Sequence, residues 1–439
     1  MIIALSSNIY ASPRVFPLLV LGFASGLPLA LTGGTLQAWA TVSNVSLQSI
    51  GFLTLVGTAY TLKFLWSPLV DRYAPPLLGR RRGWIIVCQI LLALAIAAMG
   101  FSSPSTGLAW VALLAVIVAF LSATQDIAFD AYSTDVLHDT ERAAGAAVKV
   151  MGYRIAMIVS GGLALVLAGT WLGWRYTYVL MAALMLLCTL STLLAPEPEV
   201  VVKPPRTLAI AVVEPLAEFF SRRGAIVILS LIVLYKLGDA FAGALSTTFL
   251  IRAAGFSPEE VGTVNKIFGL AATIVGALAG GSIMARLGLY RSLMIFGILQ
   301  AVSNFGYWVL AVTPAHIYSM AIVVAFENVC GGLGTAAFVA LLMALCKQEF
   351  SATQFALLSA LSAVGRTYLA GPFTPPLVEY LGWPTFFIST IFIGGPGLLL
   401  LWWKRAEIHS LDVSPGLAVQ EAAPSADAAV PAASQAGAK

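Results

Sequence analysis

Ten ionisable side chains stand inside long apolar stretches of this sequence. The acids are Asp126, Asp130, Asp239 and Glu327; the bases are Lys63, Lys149, Arg154, Lys236, Lys266 and Arg366. A charge in hydrocarbon costs about 2.5–3.5 kcal/mol on insertion scales, so such residues face a bundle interior, a partner or a water-filled path. Bases outnumber acids six to four, a surplus that suits an anionic ligand. Asp126 and Asp130 are i and i+4 and share one helix face. Repulsion and desolvation favour the neutral form there. The pair is therefore a candidate for holding a proton, with Asp239 and Glu327 as further candidates. A static interhelical ion pair with Lys149 or Arg154, at similar depth in the next stretch, is the other reading.

The remaining polar groups sort in the same way. Lys236 and Asp239 are i, i+3 and either neutralise each other or, with Tyr235, meet a polar ligand. Arg154 and Arg366 carry the guanidinium fork that binds a carboxylate through two parallel hydrogen bonds. With Lys63, Lys149, Lys236 and Lys266 they are candidates for ligand contact or gating. Gln125 and Asn328, with Gln37, Asn265, Gln300 and Asn304, suit hydrogen bonding to sugar or peptide groups, or else join helix to helix. Trp39, Trp66 and Trp308 stack on sugar faces or belong to an interfacial belt. Four cysteines without a CxxC spacing and three scattered histidines leave no metal site, cofactor site or nucleophile–base constellation, so no enzyme is expected. The net charge is +4, and no basic run exceeds Arg80-Arg81-Arg82, which gives no support to a nucleic-acid partner.

The elements that must position these groups follow from composition. Hydrophobic types make up 59% of the 439 residues and charged types 10%, against about 25% charge in soluble domains. The natural solvent is a bilayer. The apolar runs are continuous rather than alternating, which predicts helices and not a barrel. At about 20 residues per crossing, twelve spans are expected: 15–40, 50–70, 84–101, 108–133, 144–169, 174–195, 225–250, 260–285, 290–312, 317–345, 352–378 and 384–403. The first apolar stretch is too long for a signal-peptide core and reads as the first span. The spans divide six and six, giving bundles over 1–195 and 225–405, a cytoplasmic linker over 196–224 and a disordered tail over 406–439. With both termini in the cytoplasm, sixteen of the 24 Lys and Arg lie on that side and only Arg175 and Arg252 face outward, as the positive-inside rule requires.

The halves also rhyme. Gly152-Tyr-Arg154 precedes Leu172-Gly-Trp174, and Gly365-Arg366 precedes Leu381-Gly-Trp383. Two six-helix halves with nested inverted repeats are the architecture of major facilitator transporters. Asp71-Arg72 and Gly79-Arg80-Arg81-Arg82-Gly83 look like a stretched form of that superfamily's signature loop, in which acids and bases form a cytoplasmic latch. Plain positive-inside charge is an equal reading of Arg80 to Arg82, whereas Asp71, at a span end among cations, favours the latch.

Longer motifs carry a closer resemblance. Leu21-Gly-Phe-Ala-Ser-Gly-Leu-Pro-Leu-Ala-Leu-Thr32, Phe64-Leu-Trp-Ser-Pro68, Gln125-Asp-Ile-Ala-Phe-Asp-Ala131, Leu234-Tyr-Lys-Leu-Gly-Asp-Ala-Phe241, Phe326-Glu-Asn328 and Ser351-Ala-Thr-Gln-Phe-Ala-Leu-Leu-Ser-Ala360 are similar to the AmpG muropeptide permease family. The resemblance runs from about Arg14 to about Arg405. It implies a bacterial inner-membrane permease, driven by the proton gradient, that imports N-acetylglucosaminyl-1,6-anhydro-N-acetylmuramyl peptides for cell-wall recycling and β-lactamase induction. The expected partners are that muropeptide, protons and membrane lipids, and the expected state is a monomer without cofactor. A facilitator for another anionic or sugar-containing solute is the first alternative, followed by a membrane-embedded enzyme and a sensor.

Overall fold

Hydrocarbon offers no partner to a backbone N–H or C=O, so a spanning chain must satisfy these groups within itself. In the computed structural model, residues 12–73, 75, 79–138, 141–196, 220–221, 224–346 and 351–411 are described, and every regular element among them is helical. Ten helices are long and apolar enough to cross a membrane. In chain order the elements are α1 (Phe16–Val42), a segmented run over 47–72 termed α2, α3 (Arg80–Gly100), α4 (Pro104–Val136), α5 (Ala144–Thr170), α6 (Gly173–Leu194), α7 (Ala225–Ala253), α8 (Pro258–Leu287), α9 (Leu289–Val312), α10 (Ile317–Ala344) and α11 (Leu357–Trp403).

Two places depart from the expected spans. A continuous helix is expected over 50–70, yet α2 consists of short pieces: Leu47–Leu53, Thr54–Gly57, Thr58–Thr61, Lys63–Leu65 and Ser67–Arg72, the second and fourth with 3-10 geometry. The cause is local chemistry and crowding. The Thr54 hydroxyl donates back to Gly51 O at 2.7 Å, and such back-bonding bends helices. Gly371 of α11 presses so close that a Cβ there would lie 1.8 Å from Thr54 Oγ1. The second departure is α11, in which the expected spans 352–378 and 384–403 follow one another directly as the run Leu357–Trp403. Gly382 interrupts it with φ 73° and ψ 159°, a conformation that glycine adopts without steric cost. The expected linker is described only at 196, 220–221 and 224, and residues 412–439 of the expected tail lie outside the described residues; residues 405–411 are helical.

Packing within the first half of the chain sets α1 against α5 and α3 between α4 and α6; in the second half α10 packs on α8 and α9. Small residues make these approaches possible. A Cβ on Gly152 of α5 would meet Leu19 O of α1 at 2.0 Å, and one on Gly22 would meet Lys149 O at 2.4 Å. One core gathers Leu92, Met99, Tyr178 and Met185, a second Leu231, Phe296, Leu341 and Leu401. A third joins the halves, with Ala38 and Leu165 packed among Phe249, Phe256, Val261 and Phe387.

Candidate functional site

Elements from both halves enclose a central cavity of about 430 Å³, lined from α1, α2 and α5 on one side and α7, α8 and α11 on the other. Two bases project into it. Lys266 stands on a π-helical segment, Val261–Phe268, and its Nζ donates to Thr247 Oγ1 of α7 at 2.9 Å. Gly34 of α1 leaves the ammonium its room, since a Cβ there would lie 3.2 Å from Nζ. Arg366 stands on a second π-helical segment, Gly365–Ala370, and Gly161, also on the cavity wall, on a third, Ile158–Leu163. Such one-turn widenings re-aim side chains and recur at functional sites. Neither Lys266 nor Arg366 is ion-paired among the described residues, and no carboxylate lines the cavity. Facing the two bases from the first half are Thr32, Gln37, Thr54, Tyr60 and Thr61.

A second cavity, of about 330 Å³, lies wholly within the first half and brings together Lys63, Asp126, Asp130, Lys149 and Arg154 with Ser25 and Tyr153. The two aspartates share this cavity but not their partners. Asp126 Oδ1 accepts from Ser25 Oγ of α1 at 2.5 Å. Asp130 is held by Lys149 Nζ at 2.6 Å, with Lys63 Nζ at 3.7 Å. Lys149 also donates to Ser133 Oγ at 3.1 Å and lies 4.7 Å from the Phe129 ring centre. Arg154 is exposed here, with Met157 Sδ 3.9 Å from Nη1. Thus Asp130 is neutralised by two ammonium groups, while Asp126 has a hydroxyl.

The other candidates form a polar network in the second half. Lys236 Nζ is 3.8 Å from Asp239 Oδ2, Gln300 Nε2 donates to Asp239 Oδ1 at 3.0 Å, and Lys236 reaches Thr335 Oγ1 at 3.4 Å. Glu327 accepts from Asn328 Nδ2 at 2.7 Å, and Thr273 donates to Asn328 Oδ1 at 2.9 Å. Tyr235 donates to Leu293 O at 2.8 Å and stacks on Phe338. Gln125 is buried. Neither Tyr235, Gln125, Asn328 nor the Lys236–Asp239 pair is on the wall of the two cavities. Trp39 stacks on Trp174, Trp308 on Phe305, and Trp66 donates to Thr124 Oγ1 at 3.1 Å. Of the latch residues, Arg81 Nε donates to Asp135 Oδ2 at 3.1 Å, Arg72 is exposed, Arg80 opens α3, and the Asp71 side chain lies outside the described residues.

The halves meet at one end, where α1, α5 and α7 finish and α2 and α8 begin. Arg252 of α7 donates to Thr41 O at 2.6 Å, in the last turn of α1, and to Val45 O at 3.0 Å, in the loop that follows. Beside it the Thr41 and Thr248 hydroxyls bond at 2.9 Å, and Gln37 Nε2 donates to Ala244 O at 2.8 Å. Gln48 Nε2 reaches Glu379 Oε2 at 3.3 Å. At the opposite end, Arg81–Asp135, Arg82 with Thr192 O and Leu193 O, and Lys404–Glu407 each stay within one half. The central cavity is therefore closed at one end by polar contacts between halves. Sequence reasoning missed Ser25, Thr247 and Tyr153 as partners of the charged groups. Ser25 lies in the small-residue run of α1, the one signal that pointed to its close approach.

The pattern of the Major Facilitator Superfamily matches residues 18–237 and 233–428. The anhydromuropeptide permease of Escherichia coli (strain K12) is 63% identical over 394 residues, covering 90% of this chain and 80% of that protein. The putative transporter AmpG 4 of Rickettsia felis is 34% identical, with 92% and 100% covered. Among solved structures, a bacterial homologue of the human lysosomal transporter Spinster, in an inward-facing and occupied conformation, superimposes with a TM-score of 0.69 at 17% identity over 92% of this chain and 99% of that one. A D-xylose–proton symporter gives 0.67 at 14% identity, with 90% and 97% covered. Helical architecture, a cavity between halves and 63% identity agree: the chain belongs to the AmpG muropeptide permease family of the Major Facilitator Superfamily.

Proposed function

We propose that this protein imports anhydromuropeptides across the bacterial inner membrane by proton-coupled alternating access. The observation that carries the reading is the central cavity with two bases and no carboxylate. Unpaired charges at such depth are costly, and a substrate carboxylate relieves that cost while the hydroxyls and the Gln37 amide opposite accept and donate to sugar groups. Kinship with the permease of Escherichia coli gives the substrate class. In this reading the chain crosses twelve times in two six-helix bundles: the ten long helices, with α2 as one more crossing and Gly382 dividing α11 in two. Both termini are cytoplasmic, the sealed end is periplasmic, and the structure is the inward-facing state of a monomer. Asp126 and Asp130 carry the proton, with Asp239 and Glu327 in support, and Arg81 with Asp71 and its neighbours latches the cytoplasmic side in the opposite state.

The test is uptake of labelled anhydromuropeptide into proteoliposomes, with and without a pH gradient acid outside. Gradient-stimulated accumulation of intact substrate is expected. Folded, correctly oriented protein that takes up none overturns the reading. Competition by unrelated anions equal to that by muropeptide would point instead to another anionic cargo.

A further inference from the structure

One pair of buried hydroxyls lies between the two cavities and has no part in the contacts described above. Tyr60 stands on Thr58–Thr61, the short central turn of α2, and its residue lines the central cavity. That turn packs against α4, which carries Ser122 and Asp126, and the Tyr60 hydroxyl lies near those of Ser122 and Thr32. Ser122 is one turn before Asp126 on α4, so i and i+4 place the two on one face. Tyr60 Oη and Ser122 Oγ are both buried and neither makes a hydrogen bond. Leaving a buried hydroxyl unbonded costs about 1–3 kcal/mol, and two adjacent ones at the boundary between a cavity and a carboxylate need a reason. Thr32, whose own proton goes to Pro28 O at 3.0 Å, offers only an acceptor, and Tyr60 Oη makes no hydrogen bond to it.

We propose that Tyr60 and Ser122 relay protons between the central cavity and Asp126. The inference rests on the proton-coupled reading and deepens it. In the relay a proton from cavity water adds to the Tyr60 oxygen as the Tyr60 proton passes to Ser122 and the Ser122 proton passes to the Asp126 carboxylate. One proton moves and each hydroxyl ends with one proton, reset by rotation about its C–O bond. Here the two hydroxyls are unbonded and Asp126 accepts from Ser25, so the relay is disconnected. Interruption in one state is what prevents a leak, and the segmented α2 gives Tyr60 a mounting that can shift independently of a continuous helix. The titratable and polar groups around Asp126 are Ser25 on α1, Tyr60 and Lys63 on α2, Cys88 on α3, Asp130 on α4, and Lys149, Tyr153 and Arg154 on α5. Of these, Asp130 is already engaged by Lys149 and Lys63, which leaves the hydroxyl side of Asp126 as its approach from the central cavity.

The experiment follows the infrared carbonyl band of protonated Asp126, assigned with Asp126→Asn, in the full-length reconstituted protein after a rapid drop in pH. Tyr60→Phe and Ser122→Ala are expected to leave the final band intensity unchanged. They slow its appearance by at least about tenfold, the low side of what a positioned proton-transfer group contributes. Tyr60→Phe protonating at the wild-type rate overturns the proposal, as does a wild type in which the band never appears. A variant with a collapsed unfolding midpoint is replaced by the other, since the two lie on different helices. The band is read without substrate, so failure of muropeptide uptake and failure of the relay are separate results.

Discussion

At the scale of residues, the charged side chains divide by whether the protein itself answers them. Asp130 is answered by Lys149 and Lys63, and Asp239 by Gln300 and Lys236. Lys266 is bonded to the Thr247 hydroxyl, and neither it nor Arg366 is ion-paired among the described residues, so in the proposed function the substrate supplies their counter-charge. A hydrogen bond to a charged group contributes about 1.5–3 kcal/mol, and each 1.4 kcal/mol is tenfold in affinity. Lys266→Met and Arg366→Met should each weaken muropeptide binding by about 10- to 150-fold in calorimetric titration. Lys149→Met should leave binding within about threefold, because its charge is spent on Asp130. Equal losses in all three variants would place the substrate carboxylate elsewhere. The charges, and the shared face of Asp126 and Asp130, were legible because charge in an apolar run needs no tertiary information. The different partners of the two aspartates were not. Ser25 is set beside Asp126 by the close approach of helices, and a serine in an apolar run looks the same wherever it faces. Tyr235 reads as a cavity residue from its neighbours in sequence, yet its hydroxyl is taken by Leu293 O.

At the scale of elements, two arginines act alike. Arg82 donates to Thr192 O and Leu193 O at the end of α6, and Arg252 to Thr41 O and Val45 O at the end of α1. Arg82 supplies a cation to carbonyls in the last turn of α6, and Arg252 to Thr41 O in the last turn of α1 and Val45 O in the loop after it, where the negative end of the helix dipole adds to the attraction. Their consequences differ. Arg82 joins elements of one half, whereas Arg252 ties α7 to α1 across the cavity. Removing Arg252 should therefore leave the fold intact and loosen the seal. With charge-assisted bonds of about 1.5–3 kcal/mol, Arg252→Ala should raise the population open at this end by about tenfold or more. Spin labels on Gln48→Cys and Glu379→Cys measure it as a longer second distance; an unchanged distance distribution in Arg252→Ala removes the arginine from the seal. Continuous spans were legible from apolar length, but the fragmentation of α2 and the π-helical turns under Lys266 and Arg366 were not. Both arise where a neighbouring helix presses on backbone, and no local sequence pattern encodes the approach of Gly371 to Thr54.

At the scale of the whole molecule, the two cavities and the seal impose an order on events. The central cavity is walled by both halves, so relative movement of the halves changes it, while the Asp126 cavity is built from the first half alone. Polar contacts across the halves gather at one end: Arg252 with Thr41 and Val45, Thr41 with Thr248, and Gln48 with Glu379. If transport requires this end to open, a covalent bond across it must stop the cycle without touching the binding site. Gln48 and Glu379 are suited to that, being exposed, on α2 and α11, and remote from Lys266 and Arg366 in their lining roles. With Gln48→Cys and Glu379→Cys joined by a short bifunctional maleimide, uptake into proteoliposomes should fall to the level of empty vesicles. Binding in detergent, where the opposite end is accessible, should stay within about twofold of the uncrosslinked protein. A cleavable linker restores uptake on reduction and separates locking from damage. Uptake that continues in fully crosslinked protein would mean that substrate does not pass this seal, and the alternating-access reading would fall with it.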